Sequence, residues 1–113
     1  MEFNPDHWEI APSELAAARA EGVPHRLIDC REQNEWDICH IEGAELLPLT
    51  VFAERFQMLL PDRDETVVIN CHHGMRSMNA TNFLRQKGYS NVYSLAGGIE
   101  DWAKEIEPDM ARY

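Results

Sequence analysis

The chain has 113 residues, 44% of them hydrophobic and 27% charged, which is the size and balance of one globular domain. Its 20 acidic side chains outnumber its 10 basic ones, and the formal net charge of -10 repels phosphate backbones and anionic lipid surfaces. Nucleic acids and membranes are therefore excluded as expected partners.

In chain order, the first part of the sequence alternates short apolar runs with a helical pattern. Residues 8–10 predict an edge strand, and the helix that follows has Pro12 at its first position and Gly22 just past its end. Residues 26–30 and 44–47 predict the next two strands because apolar residues dominate both runs.

The middle of the sequence begins with an amphipathic helix. Thr50 is its predicted N-cap, and Pro61 ends it. Its apolar residues recur at the spacing of one helical face: Phe52, Phe56, Leu59 and Leu60. The β-branched run 67–69 then predicts the most deeply buried strand.

The last part repeats the alternation. A helix is predicted to begin near Arg76 or Ser77 and to close at Gly88, and strand 91–95 follows it. A final helix is predicted after the Gly97–Gly98 turn.

Strands alternating with helices of this length predict an α/β fold, a doubly wound domain whose mainly parallel sheet carries helices on both faces. We expect one domain over residues 1–113, with its core at about 8–106 and a frayed tail at 109–113. Ligands of such sheets bind at the carboxyl ends of the strands. Cys71 lies at such an end.

The amino terminus and the cysteines predict the compartment. The first residues lack the basic start and apolar run of a secretory signal, and no window reaches the roughly 18 apolar residues of a membrane-spanning helix. Cys30, Cys39 and Cys71 are odd in number and irregularly spaced, which favours free thiols over a disulfide framework. We therefore expect a cytoplasmic protein.

The stretch NCHHGMRS, residues 70–77, has the features of a reactive cysteine turn. A thiol attacks as a thiolate, and its pKa falls near a helix N-terminus or a cation. The turn after Cys71 would bend main-chain N–H groups around the sulfur, and Gly74 would supply a positive φ. Arg76 would add a permanent charge for an anion bound above the sulfur.

The length of this loop separates two chemistries. Cysteine-dependent phosphatases and arsenate reductases have five residues between the cysteine and the arginine. Here four residues separate Cys71 from Arg76, and Ser77 occupies the later position. A ring shortened by one residue suits a smaller group than phosphate, such as one additional sulfur.

Five motifs in this order resemble those of the single-domain rhodaneses, thiosulfate:acceptor sulfurtransferases. They are Asp29-Cys30-Arg31-Glu32, Glu35-Trp36, His40-Ile41 with Gly43-Ala44, the loop Cys71 to Arg76, and Gly97-Gly98-Ile99 with Trp102. The resemblance runs from about residue 10 to 102. It implies a compact domain with a five-stranded parallel sheet and no metal or organic cofactor.

The resemblance also implies the roles of the loop residues. Cys71 would take the outer sulfur of thiosulfate or of a persulfide donor, hold it as a persulfide, and pass it to a thiophilic acceptor. The substrate-binding positions would be the rest of the turn: His72, His73, Gly74, Met75, Arg76 and Ser77. Asp29 and Arg31, at the end of a neighbouring strand, are predicted to brace this loop.

His72 and His73 depart from the pattern, since the better thiosulfate users carry a permanent cation there. Histidine, with an ordinary pKa of about 6.5, is mostly neutral at pH 7. We therefore expect modest thiosulfate turnover, with a protein persulfide as an alternative donor and a thiol or sulfur-carrier protein as acceptor. The His-His loop also resembles rhodanese domains that work beside adenylating enzymes.

Other interpretations remain open at this point. The chain could be a non-catalytic rhodanese-like interaction module, or a phosphatase despite the short loop. A zinc site is disfavoured because neighbouring residues of a tight turn rarely aim at one ion. His40 is expected to be a turn histidine bonded to the backbone. Cys30 is expected in the core, and Cys39 is a weak candidate for a resolving thiol.

Overall fold

The computed structural model describes residues 2–113. Five strands and five helices alternate along the chain. The strands are β1 Glu9–Ile10, β2 Arg26–Asp29, β3 Glu45–Leu46, β4 Val67–Asn70 and β5 Val92–Leu95. The helices are α1 Pro12–Glu21, α2 Gln33–Ile38, α3 Leu49–Leu59, α4 Met75–Gln86 and α5 Gly98–Glu105.

The strands form one five-stranded sheet in the order β1-β5-β4-β2-β3, and every pair is parallel. Alternate residues of a strand face opposite sides, so the sheet separates two apolar clusters. On one side Ile28 and Ile69 pack against α3 and α4. On the other, Leu27 and Val68 pack against α1 and α5. The predicted parallel sheet with helices on both faces is confirmed.

Local signals explain where α1 begins and ends. Pro12 occupies the first turn, and Glu14 Oε1 accepts a hydrogen bond of 2.8 Å from the Ala11 N–H. Gly22 ends the helix with a φ of 70°, a conformation that glycine adopts without strain. These are the bounds that the sequence predicts.

Helices α3 and α2 differ from the prediction. α3 begins at Leu49 with Pro48 as its N-cap, so the assignment of Thr50 as N-cap is wrong; the Thr50 hydroxyl instead donates to Glu32 Oε1 at 3.0 Å. Helix α2 is absent from the predicted elements. It is six residues long and buries none of them, so it carries no apolar stripe that a periodicity could reveal.

The structure also differs from the predicted frayed tail at 109–113. Met110 packs against the apolar cluster on the α1 and α5 side. Arg112 Nη2 lies 2.6 Å from Glu100 Oε2, and the Tyr113 ring stacks on His72 with 4.0 Å between centroids. These contacts place the tail across the carboxyl edge of the sheet. Within residues 2–113, no helix has the length and apolar character needed to cross a membrane.

Candidate active site

Cys71 follows the central strand β4 directly, and α4 begins at Met75. The helix starts earlier than predicted, so Met75 and Arg76 belong to its first turn and the connecting loop is Cys71–Gly74. The loop opens at the carboxyl edge of the sheet, where parallel α/β folds bind their ligands. The thiol therefore faces both a loop and a helix N-terminus.

Hydrogen-bond donors surround the sulfur of Cys71. The Gly74 N–H donates to Sγ at 3.0 Å and the Ser77 N–H at 3.3 Å, while Ser77 Oγ lies 3.3 Å away. The residue exposes only 1% of its surface. Two main-chain donors of the predicted nest therefore point at the sulfur, which is held deep in the turn.

The orientation of this loop depends on the amino terminus of α5. The Ile99 N–H donates to the Cys71 carbonyl at 2.8 Å, and the Glu100 N–H donates to the His72 carbonyl at 3.1 Å. Both carbonyls are thereby turned away from the sulfur. Gly74 completes the turn with a φ of 105°, which a residue with a Cβ rarely adopts. The helix after β5 thus shapes the loop after β4.

The buried side chain of Ser77 stabilises the turn by hydrogen bonds. It is fully buried, and its Oγ lies 2.7 Å from Ser94 Oγ on β5 and donates to the Gly74 carbonyl at 3.2 Å. Ser77 therefore stabilises the shape of the loop and contacts Sγ, and its substrate-binding role stays a prediction. Ser94 was not predicted, because only the sheet order brings it to this loop.

The surroundings of Cys71 lower its pKa to about 5. The largest cause is a hydrogen bond from the thiol of Cys30, and the Ser77 and Gly74 donors add to it while burial opposes them. Each donor stabilises the thiolate more than the thiol. Cys71 is therefore ionised at neutral pH.

The rate of Cys71 alkylation by iodoacetamide is expected to rise as pH increases through about 5 and to level off before neutral pH. Only the thiolate reacts, so the pH midpoint follows the pKa and not the accessibility of the sulfur. Mass spectrometry of the alkylated peptides gives the rate for each cysteine. In the urea-unfolded control the midpoint should be about 8.5; a native midpoint at that value would contradict the prediction.

His72 and His73 form the outer wall of the loop. Their rings stack with 3.9 Å between centroids, and the Tyr113 ring covers the other side of His72. Burial, and secondly the neighbouring His73, lower the pKa of His72, which is therefore neutral at pH 7. Beside them Met75 exposes 79% of its surface. The mouth of the site is apolar and aromatic more than cationic.

Arg76 is already paired. Its Nη1 and Nη2 donate to the two carboxylate oxygens of Glu35 at 2.7 and 2.8 Å, and Arg76 holds the pKa of that carboxyl at about 2. Tyr113 Oη also donates to Glu35 Oε2, at 2.7 Å. The sequence assigned Arg76 to substrate as a free cation. Glu35 binds the edge of the guanidinium that carries the Nη1–H and Nη2–H groups, so this edge is not free for an anion, and the substrate-binding role of Arg76 stays a prediction.

Asp29 and Arg31 form a fully buried ion pair with 2.7 Å between Arg31 Nη2 and Asp29 Oδ2. Arg31 also donates to the carbonyls of Glu35 and Cys39, at 3.3 and 2.6 Å. The hydrogen bonds of Arg31 thus brace α2, in its first turn and at its C-cap. This bracing reaches the cysteine loop indirectly, through Glu35, which binds Arg76. It also reaches the loop through Tyr113, whose hydroxyl accepts a hydrogen bond of 2.8 Å from Arg31 and whose ring stacks on His72.

The remaining sequence candidates lie away from the sulfur. Cys39 packs on the α1 and α5 side of the sheet, whereas Cys71 lies on the α3 and α4 side, so the structure does not bring these two thiols together. His40 Nδ1 lies 3.0 Å from the Trp36 carbonyl, which confirms a turn histidine bonded to backbone. Among residues 2–113, no three His, Cys, Asp or Glu side chains are grouped to hold a metal ion.

The sequence also matches a described family. A family model for the Rhodanese-like domain aligns with residues 11–105. The chain belongs to the rhodanese family. Among solved rhodanese-like structures, a rhodanese-related protein from Thermoplasma volcanium superimposes with a TM-score of 0.79 at 27% identity, covering 90% of this chain and 96% of that one. The human single-domain sulfurtransferase TSTD1 gives 0.77 at 26%, covering 87% and 96%.

Relatives of this rhodanese domain fall into two size classes. The probable adenylyltransferase/sulfurtransferase MoeZ of Mycobacterium tuberculosis is 38% identical over 92% of this chain, which spans only 26% of that protein. The thiosulfate sulfurtransferase GlpE of Haemophilus influenzae is 32% identical, over 91% of this chain and 95% of its own length. Sulfurtransferases thus occur among relatives of either size.

Proposed function

We propose that this chain is a sulfurtransferase that carries sulfane sulfur on Cys71. The observation that carries the proposal is the set of donors around Sγ, from Gly74 and Ser77, which favours a thiolate in a turn too short for phosphate. The names of its relatives, thiosulfate sulfurtransferase and adenylyltransferase/sulfurtransferase, support the same class.

The reaction has two displacement steps. The Cys71 thiolate attacks the outer sulfur of thiosulfate, the S–S bond of the donor breaks, and sulfite leaves with the bonding electrons. A thiophilic acceptor then attacks the outer sulfur of the persulfide, and Cys71 departs as a thiolate. The N–H groups of Gly74 and Ser77 stabilise the negative sulfur before and after the cycle, without reorganisation.

The charge at the mouth favours some donors over others. His72 is neutral at pH 7 and Arg76 is neutralised by Glu35, while the chain as a whole carries a net charge of -10. A dianion such as thiosulfate therefore gains little attraction on approach. We propose modest thiosulfate turnover, with a protein persulfide as an alternative donor.

The acceptor in this proposal is a small thiol or a sulfur-carrier protein. The chain spans about a quarter of the adenylyltransferase/sulfurtransferase relatives that it matches. Those relatives combine an adenylyltransferase and a sulfurtransferase in one protein, and this combination is the reason for proposing a carrier protein as acceptor. The three free cysteines suit a reducing compartment, and we propose the cytoplasm.

Intact-mass measurement tests the proposal. Reduced protein incubated with thiosulfate, or with a small organic persulfide, is expected to gain the mass of one sulfur atom and to lose it when cyanide is added. The cyanide step should yield thiocyanate in an equal amount. If neither donor adds mass at any pH at which the protein is folded, the proposed function is wrong.

One observation favours a second candidate, a rhodanese-like interaction module without turnover. Cys71 exposes only 1% of its surface, which limits the approach of large substrates. For this candidate, a binding partner would be retained equally by the wild type and by Cys71→Ser, and neither would gain sulfur. The mass measurement therefore separates the two candidates.

A further inference from the structure

The thiol of Cys30 lies beside that of Cys71. Strands β2 and β4 are parallel neighbours whose last paired residues are Asp29 and Asn70, so Cys30 and Cys71 are the next residues on each strand. The Cys30 N–H donates to the Asn70 carbonyl at 3.0 Å, which continues the ladder past the end of both strands. The two cysteines are thus held side by side by main-chain hydrogen bonds.

Both side chains point to the same side of the sheet. Cys30 and Cys71 belong to the apolar cluster on the α3 and α4 side, and both are buried. Adjacent strands lie about 4.8 Å apart, and disulfides join Cα atoms that are about 4.4 to 6.8 Å apart. The usual spacing of neighbouring strands therefore lies within the range of Cα distances that a disulfide spans.

The two thiols also have opposite pKa shifts. The hydrogen bond to Cys71, and secondly burial, raise the pKa of the Cys30 thiol, while the same bond lowers that of Cys71. At neutral pH Cys30 is therefore the protonated partner and Cys71 the thiolate. A proton is available beside the sulfur at which the proposed chemistry takes place.

We propose that Cys30 is a resolving thiol, which attacks the inner sulfur of the Cys71 persulfide, closes a Cys30–Cys71 disulfide and releases the outer sulfur as hydrosulfide. The inference rests on the proposed function, because it begins from the persulfide. It gives the domain a second product when no acceptor is present.

The step balances without an added oxidant. The bond between Cys71 Sγ and the outer sulfur breaks, and a bond between Cys30 and Cys71 forms. The proton of the Cys30 thiol passes to the outer sulfur as Cys30 attacks, so the attacking sulfur is a thiolate when the new bond forms. The outer sulfur leaves with the bonding electrons as hydrosulfide, so Cys30 is oxidised and the outer sulfur is reduced. A dithiol reductant then restores both thiols by thiol–disulfide exchange. The net result is the reduction of sulfane sulfur to sulfide.

The chain offers a matched control. Cys39 is a free cysteine on the opposite side of the sheet, where it cannot reach Cys71 without unfolding. Cys39→Ser should therefore behave as the wild type. Cys30→Ala and Cys30→Ser remove the nucleophile in two ways, one by truncation and one with similar volume, so a folding defect in either still leaves the other as a test.

The experiment loads each protein with sulfur from thiosulfate, removes small molecules and follows the intact mass and free sulfide without an acceptor. In the wild type and Cys39→Ser, the persulfide mass should decay to a species two hydrogens lighter than the reduced protein, with one sulfide released per chain. A non-reducing digest should contain a peptide pair that joins Cys30 to Cys71. Both Cys30 variants should keep the added sulfur and release sulfide at least tenfold more slowly.

The outcomes distinguish the two proposals. If neither the wild type nor the two Cys30 variants gain sulfur, and no sulfide is released, the proposed function is wrong, and the inference that rests on it is wrong too. If the wild type gains sulfur but holds it without sulfide release or a linked peptide, the inference alone is overturned. Equal sulfide release by the wild type and both Cys30 variants would also overturn it.

Discussion

Cys71→Ser is expected to abolish sulfur uptake and to reduce thiosulfate-to-cyanide turnover by at least ~1000-fold, the scale seen when an enzyme loses its nucleophile. A serine hydroxyl fits the same space and can accept the Gly74 and Ser77 hydrogen bonds. It does not ionise at neutral pH, however, and cannot form a persulfide. The loss is therefore chemical, with little change in fold.

The control for this substitution is Cys39→Ser, which changes a thiol on the other side of the sheet. Turnover and intact mass should be measured for both variants, with circular dichroism to confirm folding. Cys39→Ser is expected to keep the wild-type rate. A Cys71→Ser protein that still gained one sulfur would place the sulfur carrier at another residue and would contradict the proposed mechanism.

Gly98→Ala is expected to lower turnover by about 100-fold, which is the effect of removing a preorganised hydrogen-bond donor. A Cβ at this position would lie 2.4 Å from the His72 carbonyl oxygen and 2.6 Å from that of Cys71. Both contacts are with main-chain atoms that cannot move without displacing the cysteine loop. The donors would then leave the sulfur, and the pKa of Cys71 would rise toward that of an ordinary thiol.

Gly22→Ala is a matched control because it imposes the same backbone strain without the clash. Gly22 has a φ of 70° and Gly98 one of 63°, but a Cβ at Gly22 would meet nothing within 4 Å. Both variants should lose about 1 to 3 kcal/mol of unfolding free energy through the strained φ. Only Gly98→Ala should shift the alkylation midpoint of Cys71 to higher pH. A wild-type midpoint in Gly98→Ala would refute the loop argument.

The sequence predicts the architecture well where a periodic apolar face exists. The β-branched run before Cys71 and the stripe from Phe52 to Leu60 both place residues in the core that the structure buries there, with Leu59 only partly covered. Helix α2 has no such face, and it is held instead by hydrogen bonds from the buried Arg31 to its main chain. A polar bond of this kind leaves no pattern in the sequence.

The features of the site also fall into those that a local sequence pattern predicts and those that depend on distant contacts. The roles of Cys71 and Gly74 follow from a local strand-turn-helix pattern, and the structure places both as expected. The pairing of Arg76 with Glu35 and the position of Cys30 depend on strand order and on contacts between distant segments. Physical reasoning on the sequence identifies the candidate nucleophile, whereas the groups that shift its pKa become visible only in three dimensions.

The hydrogen bonds from α5 to the Cys71 and His72 carbonyls make the acidity of Cys71 depend on the docking of α5. During synthesis, Cys71 leaves the ribosome before residues 98–105, so at that stage it has the ordinary reactivity of a thiol in an unfolded polypeptide. We expect the docking of α5 to fix the loop around the sulfur and so to lower the pKa of Cys71. Under the proposed function, we expect sulfur loading of Cys71 only after α5 has docked.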